Sequence, residues 1–177
     1  MSSKVNNRIV VIGCQRSGTN IVSKCIANDN NLDLYNERDL GYSSCTLKGT
    51  DATVLIEFMN NVDSFVLQAP SLNSICHKLD DWLDDSVKFI WVERDSDEIR
   101  QSRKRVDWQG EQRETIKYFE FADMLSRFDI KDSVDRAKVV FYEYQRHRID
   151  VEVVNYHDFD NHELWKDERE ALGIGDT

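Results

Sequence analysis

Ile9-Val10-Val11-Ile12-Gly13-Cys14-Gln15-Arg16-Ser17-Gly18-Thr19-Asn20 is the stretch on which the fold of this chain turns. A β-branched run feeds a loop flanked by glycines, and the loop opens into a helix. Such a strand–loop–helix turn points backbone N–H groups and a helix N-terminus at one spot, the usual physical solution for holding a phosphate. The spacing Gly13-x-x-x-x-Gly18 matches the front of a Walker A loop, but Thr19-Asn20 stands where Mg-ATP chemistry needs Lys followed by Ser or Thr. The loop is suited to a phosphate-bearing ligand and ill suited to Mg-ATP.

Working outward, strands and helices alternate. Arg8–Gly13 is expected as a buried strand, with a helix over Ser17–Ala27 and a short strand over Leu32–Tyr35. Val54, Leu55, Phe58, Met59 and Val62 predict a helix over Asp51–Val62. Ser64–Ala69 is a third strand, ended by Pro70, the only proline. Helical spacing of Leu72, Ile75, Leu79 and Leu83 predicts a helix over Ser71–Leu83, and Val87–Val92 is a fourth strand with the continuous apolar character of a parallel sheet. Helices are expected at Asp95–Val106, Gln112–Phe128 and Ser133–Arg146, and a last strand at Ile149–Asn155. The alternation predicts one α/β domain over residues 1–177, a three-layer parallel sheet of about five strands flanked by helices.

The chain has 177 residues, 40% hydrophobic and 32% charged, as in a globular protein. Its net charge of −10 disfavours nucleic acid and anionic membrane as partners, so any anion site must be built locally from amides and a few arginines. No apolar run approaches the ~20 residues of a membrane span, and the N-terminus has no apolar signal core, so a cytoplasmic location is expected. Cys14, Cys25, Cys45 and Cys76 are scattered without metal-ligand spacing, which predicts reduced structural thiols and no metal.

In a parallel α/β sheet, ligands bind at the carboxyl ends of the strands. That rim collects the loop after Gly13, Asn36-Glu37-Arg38, Gln68-Ala69-Pro70, Glu93-Arg94-Asp95 and Tyr156-His157-Asp158. Two of these segments, Arg16-Ser17-Gly18-Thr19 and Arg94-Asp95 followed by Ser102, resemble the sulfotransferases that use 3′-phosphoadenylyl sulfate. Phe65-Val-Leu-Gln-Ala-Pro70, Val153-Val-Asn-Tyr156-His-Asp158 and Ala171-Leu-Gly-Ile174 echo further segments of that family in the right order. The resemblance implies a P-loop nucleotide-hydrolase-like fold and metal-free transfer of a sulfuryl group to a hydroxyl or amine of a small-molecule or carbohydrate acceptor. It also implies that Arg16, Ser17, Gly18, Thr19 and Asn20 hold the 5′ phosphosulfate, that Arg16 stabilises charge on the bridging oxygen, and that Arg94 and Ser102 hold the 3′ phosphate.

Departures from the pattern place the chain nearer the bacterial and carbohydrate-directed members than the cytosolic ones. The Lys-Thr-His run of cytosolic members is replaced by Gln68-Ala69-Pro70, and Glu37, just after the second strand, is the candidate general base; otherwise it is a solvated carboxylate. His77 sits among helically spaced leucines, which suits a packed position better than a base, and His157 lies on the rim. The Arg-Lys-Gly segment that completes the 3′-phosphate site elsewhere has no match. Arg100, Arg103, Lys104 and Arg105 offer charge in its stead, though such a run is ordinarily a solvated helix face. Trp91 and Trp108 are available to stack on adenine, but such residues more often belong to the core. Two other functions stay open: a non-catalytic binder of the cofactor or its 3′,5′-bisphosphate product, and a P-loop kinase-like enzyme with Glu93 on a Walker B strand.

Overall fold

Ile9 to Ile12 are all buried, and their side chains alternate between two apolar clusters. That places β1 (Arg8–Gly13) in the middle of a sheet covered on both faces. The computed structural model describes residues 7–40, 49–79, 81–111, 118–145 and 150–165. Around β1 stand β2 (Leu34–Asn36), β3 (Phe65–Gln68), β4 (Val87–Glu93) and β5 (Val151–Asn155), in the order β2-β3-β1-β4-β5. All pairings are parallel, with Val11 opposite Gln68 and Gly13 opposite Val92.

Val10 and Ile12 face a cluster with Leu55 and Met59 of α2 (Gly49–Asn61), Leu79 of α3 (Cys76–Leu79) and Ile99 of α4 (Ser96–Arg105). The same cluster takes Leu125 of α5 (Ala122–Arg127) and Val134, Ala137 and Val140 of α6 (Ser133–Val140). Ile9 and Val11 face the opposite layer, built from Ile21, Val22, Cys25 and Ile26 of α1 (Thr19–Asn30) together with Trp165. Trp91 of β4 is wholly buried and stacks on Phe141 at 3.9 Å between ring centroids. Cys14, Cys25 and Cys76 are buried free thiols, and Cys45 lies outside the described residues.

Several boundaries differ from those predicted. Helix α1 begins at Thr19 because Gly18 sits at φ 94°, outside helical space. Leu32 does not enter β2, because its N–H closes the end of α1 on the Ala27 carbonyl (2.9 Å) past a left-handed Asn31. The helix expected over Ser71–Leu83 divides into a 3₁₀ turn, Pro70–Ser74, and the short α3. Ser71 and Asn73 bond Glu37 and Tyr118 there, and such side-chain bonds compete with regular helix. Of the helix expected over Gln112–Phe128, residues 112–117 lie outside the described residues; the remainder is a 3₁₀ turn, Phe119–Phe121, followed by α5. Helix α6 passes at Phe141–Gln145 into a π turn, and Arg146 lies outside the described residues, as do Ala171–Ile174.

Candidate functional site

The loop leaving β1 is shaped by steric limits at its two glycines. A Cβ on Gly13 would stand 2.7 Å from Ser17 Oγ and 3.2 Å from the Val92 carbonyl oxygen. The turn closes through Ser17 N–H donating to the Cys14 carbonyl (3.0 Å), with Arg16 at φ 73° and Gly18 at φ 94°. At Gly18 a Cβ would lie 2.2 Å from the Tyr156 ring, so both the backbone angle and the packing require glycine.

Helix α1 starts directly after this turn with no side chain capping its first amides and no acidic residue in its first turn. Those orphan N–H groups carry the positive end of the helix dipole. Ser17 Oγ, completely buried beside Gly13, has no hydrogen-bond partner among the described residues. A buried hydroxyl without a partner is costly, and here it lines the hollow of an uncapped helix N-terminus.

The two segments singled out in the sequence meet at this loop. Arg16 Nε donates to Ser102 Oγ of α4 (3.3 Å), and Arg94 Nη1 donates to the Arg16 carbonyl (3.2 Å). The Arg94 guanidinium lies 3.9 Å above the centre of the Tyr156 ring, and its Nε bonds Glu98 (3.1 Å). Burial, the neighbouring Arg94 and Arg105 guanidiniums together push the Arg16 pKa down, against an opposing pull from Tyr156. Like charges gathered this closely favour an anion among them.

Glu98 also accepts from His157 Nε2 (2.8 Å), whose Nδ1 faces Asp160 (3.0 Å). These bonds to Glu98 and Asp160 raise the His157 pKa. His157 therefore lines the rim between carboxylates.

Thr19 and Asn20 complete the first turn of α1. Thr19 Oγ1 accepts from Gln68 Nε2 (3.1 Å), and Gln68 Oε1 accepts from Asn36 Nδ2 (2.8 Å), so the tips of β2 and β3 are tied to the start of α1. Asn20 is exposed. Glu37 is buried rather than solvated: Oε1 accepts from Ser71 Oγ (2.7 Å) and Oε2 from Ser71 N–H (3.2 Å). Its own N–H donates to the Gln68 carbonyl (3.1 Å), which sets it at the tip of β2, with β3 between it and the loop after β1.

The remaining candidates serve the scaffold. Arg100 bonds Asp97, Asp132 and Asp135. Arg103 donates to the Gln15 carbonyl from Nε (3.3 Å) and Nη2 (3.2 Å), bonds Ser133 and Glu111, and covers Trp108 at 4.1 Å, bracing the loop from behind. Trp108 is thus paired with Arg103, and Trp91 is core. His77 is buried between Phe121 and Tyr144, with Nε2 3.8 Å from Glu120. Glu93 turns toward α6, where Lys138, Tyr142 and Trp91 bond its two oxygens. Burial alone would raise its pKa, but these bonds bring it below the ordinary value.

Sequence reasoning missed the Gln68–Thr19 link, the Arg103 brace and the contact of Tyr156 with Gly18. Only the last left a trace, in the placement of Tyr156 on the same rim. Among the described residues, no group of three or more His, Cys, Asp or Glu is placed to hold a metal ion, and no helix is long and apolar enough to cross a membrane.

At the level of sequence nothing matches: neither a protein-family profile nor a curated protein aligns with this chain. At the level of structure, a gluconokinase from Sinorhizobium meliloti 1021 superposes with a TM-score of 0.54 at 16% identity, over 97% of this chain and 92% of that one. A shikimate kinase from Acinetobacter baumannii in complex with shikimate gives a TM-score of 0.48 at 12% identity, over 81% and 95%. The five-stranded parallel sheet, its helical layers and the first of these likenesses give the fold: α/β and P-loop-like.

Proposed function

We propose that the protein is a sulfotransferase, one domain over residues 1–177, which takes a sulfuryl group from 3′-phosphoadenylyl sulfate. The observation that carries this reading is the convergence of Arg16, Arg94 and Ser102 beside the orphaned Ser17 hydroxyl and the uncapped start of α1. The amides of Ser17 to Asn20 and the Ser17 hydroxyl would receive the 5′ phosphosulfate, and Arg94 with Ser102 the 3′ phosphate. Transfer breaks the bond from sulfur to the 5′-phosphate oxygen and forms one from sulfur to the acceptor oxygen. Arg16 neutralises charge on the departing oxygen, and Glu37 takes the acceptor proton. For Glu37 to act, its bonds to Ser71 must give way to the acceptor hydroxyl; if they do not, the same cluster describes a binder of the bisphosphate.

A second reading, a P-loop kinase-like enzyme, is favoured by the fold shared with gluconokinase. Its residues fit poorly. Thr19 and Asn20 replace the lysine and the hydroxyl ligand of magnesium, Gln68 ends the strand beside β1 with an amide, and Glu93 is bonded away from the loop.

Calorimetric titration with adenosine 3′,5′-bisphosphate and with Mg-ATP tests the choice. The bisphosphate is expected to bind tightly without metal, and Arg16→Ala and Arg94→Ala each to weaken it by roughly 10- to 100-fold. Preferential binding of Mg-ATP would overturn the reading. Donor turnover in Glu37→Gln then separates enzyme from binder: loss of turnover with bisphosphate affinity kept assigns the base, and unchanged turnover removes Glu37 from that role.

A further inference from the structure

Asn36 and Gln68 stand opposite each other in the parallel pairing of β2 with β3, so their side chains share one face at the carboxyl rim. An amide side chain donates at one end and accepts at the other, and its neighbours decide which end points where. Here the order starts from a group that cannot be reversed. The Arg38 backbone N–H donates to Asn36 Oδ1 (3.0 Å), which leaves Asn36 Nδ2 to donate to Gln68 Oε1 (2.8 Å). Gln68 then has only Nε2 to offer, and this donates to Thr19 Oγ1 (3.1 Å). Each step takes its direction from the one before.

The relay ends on a hydroxyl. Thr19 is 5% exposed in the first turn of α1, and its hydroxyl holds one proton and two lone pairs. Gln68 occupies one lone pair, and the proton goes to no acceptor among the described residues. Thr19 also shares its surroundings with the orphaned Ser17 hydroxyl. A Cβ on Gly13 would stand 2.7 Å from Ser17 Oγ and 3.1 Å from Thr19 Cγ2.

We propose that Asn36 and Gln68 are positioning residues, which hold the Thr19 hydroxyl as a donor to the group on the ligand's ribose 5′ position. This rests on the sulfotransferase reading above and adds to it two residues that never touch the ligand. A phosphate or sulfate oxygen only accepts, so a hydroxyl with a lone pair already engaged meets it proton first. A carboxylate in place of the Gln68 amide would do the reverse, taking that proton itself and turning the lone pairs of Thr19 to the ligand. The relay therefore favours an acceptor-only group at the start of α1. The competing role is a plain tie between the tips of β2 and β3 and the helix, which gives Thr19 no direction.

The experiment compares adenosine 3′,5′-bisphosphate with adenosine 3′-monophosphate, which differ by the 5′ phosphate alone. Calorimetry on the full chain would use the native protein, Thr19→Val, Gln68→Glu and Asn36→Asp, with each acid also placed in Thr19→Val. Gln68→Glu makes position 68 an acceptor. Asn36→Asp reverses the relay one step earlier, at a half-buried rim position, and keeps the test open if Gln68→Glu does not fold. Thr19→Val and Gln68→Glu are each expected to weaken the bisphosphate by about 10- to 100-fold, and Asn36→Asp by about 5- to 10-fold. The monophosphate should change by less than about two-fold in all three. In Thr19→Val the acids should add less than about three-fold, because the hydroxyl that they redirect is gone. Undiminished losses in that background, equal weakening of both nucleotides, or unchanged bisphosphate affinity in both acid variants would each overturn the relay. If the native protein itself fails to prefer the bisphosphate over the monophosphate, the sulfotransferase reading fails, and the relay with it.

Discussion

Helices α1 and α4 both begin where a central parallel strand ends, yet their N-termini are finished in opposite ways. At α4, Asp95 accepts from the Asp97 and Glu98 amides at 3.0 and 3.1 Å, and two further acids stand in the first turn. Asp132 does the same for α6. At α1 the cap is Gly18, which offers no side-chain oxygen, and the adjacent Ser17 Oγ is buried without a partner among the described residues. The first amides of α4 are capped from within the chain, and those of α1 have no side-chain cap. The proposed anion site is therefore defined as much by what α1 lacks as by the arginines beside it.

The largest way to break this contrast is at Gly18. Gly18→Ala puts a methyl group against the Tyr156 ring and a side chain on a left-handed residue. It should cost about 1–3 kcal/mol of stability and abolish bisphosphate binding, as read by denaturant unfolding and titration. A variant that keeps both would mean that the turn relaxes without needing glycine.

At the closed helix end, Asp95→Ala should destabilise the fold by about 1 kcal/mol in the same unfolding assay while changing bisphosphate affinity far less. At the open end the signs reverse. Asn20→Asp adds a negative charge to the exposed first turn of α1, which should stabilise the unliganded protein by about 0.3–1 kcal/mol and weaken the anion several-fold. If stability and affinity moved together, the start of α1 would not be a ligand site.

The smallest effect lies on the rim beside both helices. His157 has a raised pKa because Glu98 and Asp160 stabilise its charged form. Its contribution to stability is complete below the unfolded value near 6.5 and is lost as pH rises through the higher folded value. The native protein should therefore lose, as pH rises above about 6.5, a few tenths of a kcal/mol relative to His157→Gln, small because the side chain is half exposed. Parallel pH curves for the two proteins would show that the contact with Glu98 contributes nothing.

How much of this was legible beforehand depends on whether a feature is local. The apolar runs located β1, β3 and β4 closely, because continuous apolar stretches in a sheet covered on both faces leave few alternatives. The helix drawn over Ser71–Leu83 failed because periodicity cannot register that Glu37, 34 residues away, bonds Ser71. At the site, the glycine spacing and the Arg94–Ser102 pair were readable as pattern. Reading Glu37 as either a base or a solvated carboxylate left out burial under Ser71, which depends on how β2 and β3 are paired. The charged run on α4 was readable only as a run.

The sequence by itself determined an alternating α/β chain with a glycine-flanked strand-to-helix loop after Gly13, because strand burial, glycine spacing and the missing Walker lysine are properties of neighbouring residues. Only the tertiary structure decided which charges stand beside that loop. It assigned Arg100 and Arg103 to the scaffold, turned Glu93 toward α6, tied Thr19 to Gln68, and brought Arg94 to the Arg16 carbonyl and Arg16 to Ser102. The physical reason is that the partners that hold or orient a guanidinium or carboxylate come from strands and helices far apart in the chain, so a local pattern does not contain them.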